Sequence, residues 1–245
     1  MEIKEYRVPF NGKIFRSIEF NFRNNPSDKL TLDSLIEKGI ILAKKVNPIL
    51  ARDSSLARDN NMKIKDCIGG AIAEYCWRTW LNQYFELNRI DMKAQETSFE
   101  NAKNQIDIQI INNRGDIKTV EVRSSFAYKG VDAAISHNFK ILGPYYNEIK
   151  KYEYTKDYHV MVVYSFSKDL LKSQLESGDF KVYLVGGATR ILLQNSPFAF
   201  NRDLAPQDDI TERLNQRATY RVIEPIANGY DTIKISELIA SMSQL

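Results

Sequence analysis

Histidine and cysteine are scarce in this chain: two of each among 245 residues. With no CxxC pair and only His137 and His159 to complete a ligand set, the composition argues against a zinc site. Cys67 and Cys76 fall nine positions apart in one helical pattern, about 13 Å along a helix axis, which is too far for a disulfide. They read as two buried thiols in a reducing compartment. No apolar run approaches the roughly 18 residues of a membrane span, and the opening MEIKEYRVPF lacks a basic-then-apolar signal pattern. The expectation is a cytoplasmic chain with no membrane association. Repeats, low-complexity tracts and Pro/Gly-rich linkers are also absent, so residues 1–245 read as a single domain.

What is present is ordinary in bulk. Hydrophobic residues make up 43% and charged residues 27%, as in a typical globular protein with a real core. The formal net charge of +3 permits a polyanionic partner but does not argue for one, because only clustered charge would.

Local patterns give an alternation of strands and helices. Residues 1–20 read as strands around the Asn11-Gly12 turn signal, and 21–30 as a polar loop ending in Asn25-Pro26-Ser27-Asp28. Helical spacing covers 31–46, and 52–63 is a polar connection. A helix over 65–87 is apolar almost all round and hence central. Its Gly69-Gly70 pair would weaken an isolated helix and predicts a close approach to another backbone. Strands are predicted over 91–99, 158–166, 180–187 and 218–226, and helices over 131–139, 167–177, 188–194 and 234–244. Strands alternating with helices after residue 91 indicate an α/β fold: a central mixed β-sheet flanked by helices.

One hairpin stands apart. In IDIQIINNRGDIKTVEVRSS, residues 106–125, the isoleucines at 106, 108 and 110 share a face with Val120 and Val122. The opposite face carries Asp107, Glu121 and Arg123. Pairing symmetric about Arg114 sets isoleucines against valines and makes Asp107 and Glu121 direct partners, with Gln105 facing Arg123. Side chains so placed have Cβ atoms roughly 4.5–5.5 Å apart, where two carboxylates repel. A hard cation between them reverses the sign: Mg²⁺ takes oxygen ligands and is often held by one or two carboxylates, waters and phosphate oxygens. Arg123, always cationic, can hold a phosphate oxygen or stabilise developing charge.

Asp107 followed by Glu121-Val122-Arg123 on the next strand resembles the PD-(D/E)XK nuclease superfamily, which includes many type II restriction endonucleases. Glu74, in AIAEYCW, stands where the family often adds a carboxylate on the preceding helix. The resemblance spans about residues 65–190 in pattern and four positions in chemistry. No proline precedes Asp107, and arginine replaces the family lysine at position 123; an arginine cannot act as a base. The resemblance implies a restriction-endonuclease-like core over 65–190, with elaborations at 1–60 and 191–245. It further implies a Mg²⁺-dependent endonuclease acting on double-stranded DNA with sequence specificity, as a homodimer. Asp107, Glu121 and Glu74 would hold metal and Arg123 would supply charge, with Lys129 or Lys103 as substitutes for the missing lysine.

Plainer readings remain open. Glu121 or Asp107 and Arg123 can form an ion pair on a solvated hairpin face, and Glu74 can pair with Arg78 one turn on. The tyrosines and lysines between 140 and 158 can bind nucleic acid or form a solvated amphipathic segment. Arg190, after Gly186-Gly187, can reach a phosphate or cap the surface. Trp77 and Trp80 read as core. The alternatives in function are a non-specific, repair or phage-defence nuclease, and a DNA-binding module without activity.

Overall fold

A computed structural model describes residues 1–45, 60–97, 106–146, 151, 153–204 and 218–241. The chain begins with a hairpin, β1 (Glu2–Phe10) and β2 (Lys13–Phe22), closed at Asn11 and Gly12. Both turn residues have positive φ, 48° and 76°, which suits Asn-Gly in a two-residue turn. Helix α1 (Pro26–Lys45) starts five residues before the expected position. The run read as a loop is the helix cap: Asn25 Oδ1 accepts from the Asp28 N–H at 3.0 Å, and Pro26 fits the first turn, where its missing N–H costs nothing.

Helix α2 (Asn60–Leu87) is the central helix. Strands β3 (Met92–Glu96), β4 (Ile108–Asn112) and β5 (Ile117–Phe126) follow, then a turn of α-helix, α3 (Val131–Ala133), that widens into a π-helical turn through Asn138. After β6 (Ile141–Tyr146) come β7 (Tyr158–Tyr164), α4 (Leu171–Ser177), β8 (Phe180–Thr189), α5 (Arg190–Asn195), β9 (Ala199–Leu204), β10 (Ala218–Ile223) and α6 (Thr232–Ala240). The main sheet has seven strands in the order β1-β2-β8-β7-β5-β4-β3. Only β5 and β7 run parallel; the other pairs are antiparallel. The expected mixed sheet with flanking helices is therefore present.

Every residue of β7 is buried, because both sheet faces are covered. On one face Val160, Val162 and Tyr164 pack with Ile72, Trp77 and Leu81 of α2, Leu32 and Leu35 of α1, and Ile235 and Ile239 of α6. Trp77 and Trp80 lie in this core as expected; their indole N–H groups donate to the Met161 carbonyl at 3.2 Å and to Ser236 Oγ at 2.9 Å. Each such fully buried aromatic contributes several kcal/mol of transfer free energy, about 3–5 by truncation. On the other face Met161 and Val163 pack with Ile135, Ile141, Leu193, Ile223 and Ile226.

That second layer holds a three-stranded sheet, β6-β10-β9, of which only β10 was expected. Pro144 sits in β6, an edge strand, where a missing donor is tolerated. The β6–β10 register shifts across Gly143 and Pro144, and a Cβ at Gly143 would lie 2.8 Å from the Arg221 carbonyl oxygen. The Gly-Pro pair marks a bulge inside a strand rather than a chain reversal.

The close backbone approach predicted for Gly69-Gly70 occurs elsewhere. A Cβ on Gly70 would meet nothing within 4 Å, and one on Gly69 would make ordinary contact with the Phe126 ring at 3.6 Å. The tight crossing is at Gly39 of α1, where a Cβ would come within 2.6 Å of Ile68 Cα. Gly69 instead offers its carbonyl to the Tyr164 hydroxyl at 2.6 Å. Cys76 is buried and Cys67 half-buried, and neither is in a disulfide. No helix among the described residues is long and apolar enough to cross a membrane.

Candidate active site

The hairpin β4–β5 pairs in the expected register: Ile108 with Val120, Gln109 with Thr119, Ile110 with Lys118, Ile111 with Ile117. Ile108, Ile110 and Val120 enter the core against α2, which fixes the register by burial. Asp107 is one residue before β4 and thus next to Glu121. Because β4 has not yet begun there, the Val122 N–H lacks a strand partner, and Asp107 Oδ2 accepts it at 2.7 Å. Gln105 and Lys103 lie outside the described residues.

On its other side Glu121 is in register with His159 of β7, and Arg123 with Met161. Glu121 is 9% exposed, so the hairpin's polar face is not solvated. An ion pair between Glu121 and Arg123 is present, at 2.9 Å, but it is buried and Arg123 has a further partner. The same guanidinium nitrogen, Nη2, donates to Glu153 at 3.2 and 3.3 Å. Glu153 in turn accepts the Tyr145 N–H at 3.0 Å, and the guanidinium carbon lies 5.4 Å from the centre of the Tyr145 ring. Tyr145 stacks on Tyr220, centroids 4.9 Å apart. The small sheet thus forms one wall of the site.

Glu74 reaches the site from α2, but it does not pair with Arg78. Its Oε2 accepts from Lys38 of α1 at 2.8 Å; Lys38 also contacts Glu96 at 2.9 Å, and Arg78 pairs with Glu96 at 2.6 Å. Glu74 is thereby held between α1 and β3, within electrostatic reach of the hairpin carboxylates.

The three carboxyls resist ionisation together. Burial, then the charge of Glu74, pushes Asp107 up to about 7. Burial also raises Glu121, to about 8; Arg123 opposes this, while Asp107 and Glu153 add to it. Glu74 is raised by burial and by Glu96 and Glu121, against the pull of Lys38. This is the signature of carboxylates gathered where their charge is poorly solvated. Among the described residues no group of three or more His, Cys, Asp or Glu side chains forms a ready metal cage. Two neighbouring carboxylates nevertheless suit Mg²⁺, which commonly keeps waters and takes phosphate oxygens in its other positions.

Two residues of this pocket had no motif to announce them. Lys156, 4% exposed, brings a positive charge felt by Asp107, Glu121 and His159. His159 is 1% exposed. Neither of its ring nitrogens makes a well-formed hydrogen bond, although the Leu142 backbone favours its protonated form. Burial, with the charges of Arg123 and Lys156, holds it down to about 3, so the imidazole is neutral. The segment 153–157, read as solvated, is folded into the protein: Glu153 binds Arg123, and Asp157 accepts from the Thr119 N–H at 2.9 Å. Its mixture of tyrosine, lysine and glutamate hides this; the available signal is that it leads directly into the buried strand β7.

Other candidates fall away from the site. Lys129 is exposed beside the Tyr128 ring. Tyr146 and Tyr154 are exposed, while Lys150, Tyr152 and Glu148 lie outside the described residues, as do 52–59. Arg190 ties α5 to the loop before β7, its Nη2 lying 3.5 Å from Asp157. Gly186 and Gly187 serve a close crossing, with a Cβ on Gly186 falling 2.0 Å from the Tyr230 carbonyl oxygen.

An uncharacterized protein of Methanocaldococcus jannaschii is 28% identical over 213 residues, covering 74% of this chain and 72% of its own length. No family model and no solved structure matches the chain.

Proposed function

We propose that the protein is a Mg²⁺-dependent endonuclease that hydrolyses phosphodiester bonds in double-stranded DNA. The observation that carries this reading is the placement of Asp107 beside Glu121, at the point where β4 begins and β5 is left partly unpaired. Their raised proton affinity supports it, because a cation bound there relieves the repulsion that burial makes costly.

Asp107 and Glu121 would hold the ion, with Glu74 available as a third carboxylate from α2. A Mg²⁺ ion in this position supplies Lewis acidity, activating a water and offsetting charge on the phosphate. The chain's own groups have separate tasks. The Val122 N–H fixes the Asp107 carboxylate. Lys38 holds Glu74 from behind. Arg123 keeps Glu121 oriented through their ion pair. The resemblance to restriction endonucleases extends the proposal to sequence specificity, to a homodimer that cuts both strands, and to work in the cytoplasm; these rest on analogy of fold and motif.

A second reading has one observation in its favour. Arg123 stands in the lysine position and is occupied by two carboxylates, as in a DNA-binding module that has lost catalysis. A plasmid digest with Mg²⁺ or with chelator, repeated with Asp107→Ala and Glu121→Ala, separates the two. Cutting that needs Mg²⁺ and both carboxylates upholds the enzyme; a gel shift without cutting upholds the module. Discrete fragments indicate restriction, and a smear a non-specific, repair or defence nuclease. Cutting by pure protein that survives both substitutions overturns the proposed site.

A further inference from the structure

Arg123 is paired, but not in the way its shape allows. A planar guanidinium meets a carboxylate or a phosphate best through two parallel N–H bonds from one edge, one to each oxygen. Here both oxygens of Glu153 fall on the same nitrogen, Nη2, at 3.2 and 3.3 Å. Glu121 reaches that nitrogen as well, at 2.9 Å. Nε shares an edge of the guanidinium with Nη2, yet it is buried and has no hydrogen-bond partner among the described residues. A buried donor left unpaired is costly.

The surroundings of Arg123 suit an exchange of partners. Its side chain is 23% exposed, so an anion can arrive from solvent. The Tyr145 ring, 5.4 Å from the guanidinium carbon and stacked on Tyr220, holds the guanidinium from a second direction. Glu153 is 10% exposed and stands between exposed Lys151 and Tyr154, at the margin of the cluster. It also accepts the Tyr145 N–H at 3.0 Å, a bond that does not depend on Arg123. An anion offering one oxygen to Nε and one to Nη2 would satisfy the unpaired donor. It would replace Glu153 charge for charge, so the guanidinium would never be left without a counter-ion. Glu121 lies against the same Nη2, and Asp107 is next to Glu121 across the hairpin. An anion so held sits beside both carboxylates proposed to hold metal.

We infer that the Nε–Nη2 edge of Arg123 receives two oxygens of a phosphodiester, and that Glu153 is an internal stand-in which the phosphate displaces. The inference deepens the nuclease reading and rests on it for the identity of the anion. It makes Glu153 a brake on anion binding at this site, released by the anion itself.

Inorganic phosphate is the probe, titrated into the nitrogen-15-labelled full chain against chloride at matched ionic strength, with and without Mg²⁺. Two nuclear magnetic resonance signals are followed: the Arg123 Nε–H, identified by its loss in Arg123→Lys, and the Tyr145 backbone N–H, which reports whether Glu153 stays in place. Phosphate should move both signals in the wild type with one dissociation constant. Glu153→Gln keeps an oxygen for the Tyr145 N–H but loses the competing charge, and should bind phosphate roughly fivefold more tightly or better. If that variant does not fold, as judged by near-UV circular dichroism, the two wild-type signals decide the matter alone. An Arg123 Nε–H indifferent to phosphate in both conditions overturns the inference. So does an Nε–H that moves while the Tyr145 N–H does not, because phosphate then binds without displacing Glu153. Plasmid cutting run alongside separates the two proposals. If the wild type cuts and neither signal answers phosphate, the nuclease stands and the stand-in falls. If the wild type does not cut but both signals move together, the nuclease falls and the anion site stands.

Discussion

Asp107 accepts the backbone N–H of Val122 at 2.7 Å, one residue past its neighbour Glu121 in the hairpin register. This bond gives Asp107 a structural role beside its proposed chemical one, and the two can be separated. Asp107→Asn retains an oxygen to accept the N–H but loses the charge. Asp107→Ala loses both and leaves the N–H unpaired, at a cost of about 1–3 kcal/mol. The asparagine variant should therefore melt near the wild type and fail to cut, whereas the alanine variant should fail to cut and melt several degrees lower. Differential scanning calorimetry with a plasmid digest checks both.

The carboxyl groups predict an unusual pH dependence. Asp107 and Glu121 are raised to about 7 and about 8, so the folded protein keeps protons that the unfolded chain has released. Their contribution to stability is full at the acid end and is lost as pH rises through 7 and 8. His159, held down to about 3, works the other way: its contribution is full above the unfolded value near 6.5 and is lost only as pH falls below it. Between about pH 6.5 and 8.5 the carboxyls therefore act without opposition from His159. Without divalent metal, stability should fall across this window by on the order of 2 kcal/mol. Mg²⁺ should stabilise the protein more at the alkaline end, because it competes with protons for the same oxygens. Melting curves with chelator and with Mg²⁺ at several pH values check this, and Asp107→Asn should flatten both trends.

Arg123→Lys installs the residue that the nuclease motif would have. Lysine is a point charge on a flexible stem and cannot serve Glu121 and Glu153 through one planar fork while lying against Tyr145. The substitution should cost about 1.5–3 kcal/mol, the value of a hydrogen bond to a charged group, and should retain cutting because the positive charge beside Glu121 remains. Arg123→Ala leaves two buried carboxylates without their cation and should cost about 3–5 kcal/mol. Urea melts of the two variants, compared with their cleavage rates, test the separation of charge from fit.

The hairpin was legible in the sequence because its apolar alternation, its turn residues and its charged face all demanded one register. The burial of that charged face was not, because the wall that covers it comes from elements with weak signals. Strand β6 carries a Gly143-Pro144 bulge, and β9, AFNRDL, has four consecutive exposed residues and no alternation. Glu153 and Lys156 were hidden for a similar reason: in a segment of mixed charge, sequence cannot distinguish a buried lysine from a solvated one. Glu74 was placed correctly on the central helix, but its partner Lys38 belongs to a different helix, and a pairing rule within one helix pointed to Arg78 instead. Contacts set by chain pairing could be read, and contacts set by tertiary layering could not.

The same distinction can be tested on glycines. Gly69-Gly70 drew attention as an adjacent pair, but the crossing of α1 and α2 is governed by Gly39, where a Cβ would lie 2.6 Å from Ile68 Cα and 2.8 Å from Ile68 N. Backbone atoms cannot rotate away, so Gly39→Ala forces the helices apart and should cost about 1–3 kcal/mol, as overpacking does. A Cβ on Gly70 would meet nothing within 4 Å, and its φ is not positive. Gly70→Ala should therefore stabilise by about 0.5–1 kcal/mol through helix propensity and a less flexible unfolded chain. Urea denaturation of the two variants should move the midpoints in opposite directions with the slope unchanged. Equal effects of the same sign would mean that the α1–α2 crossing is not set at Gly39.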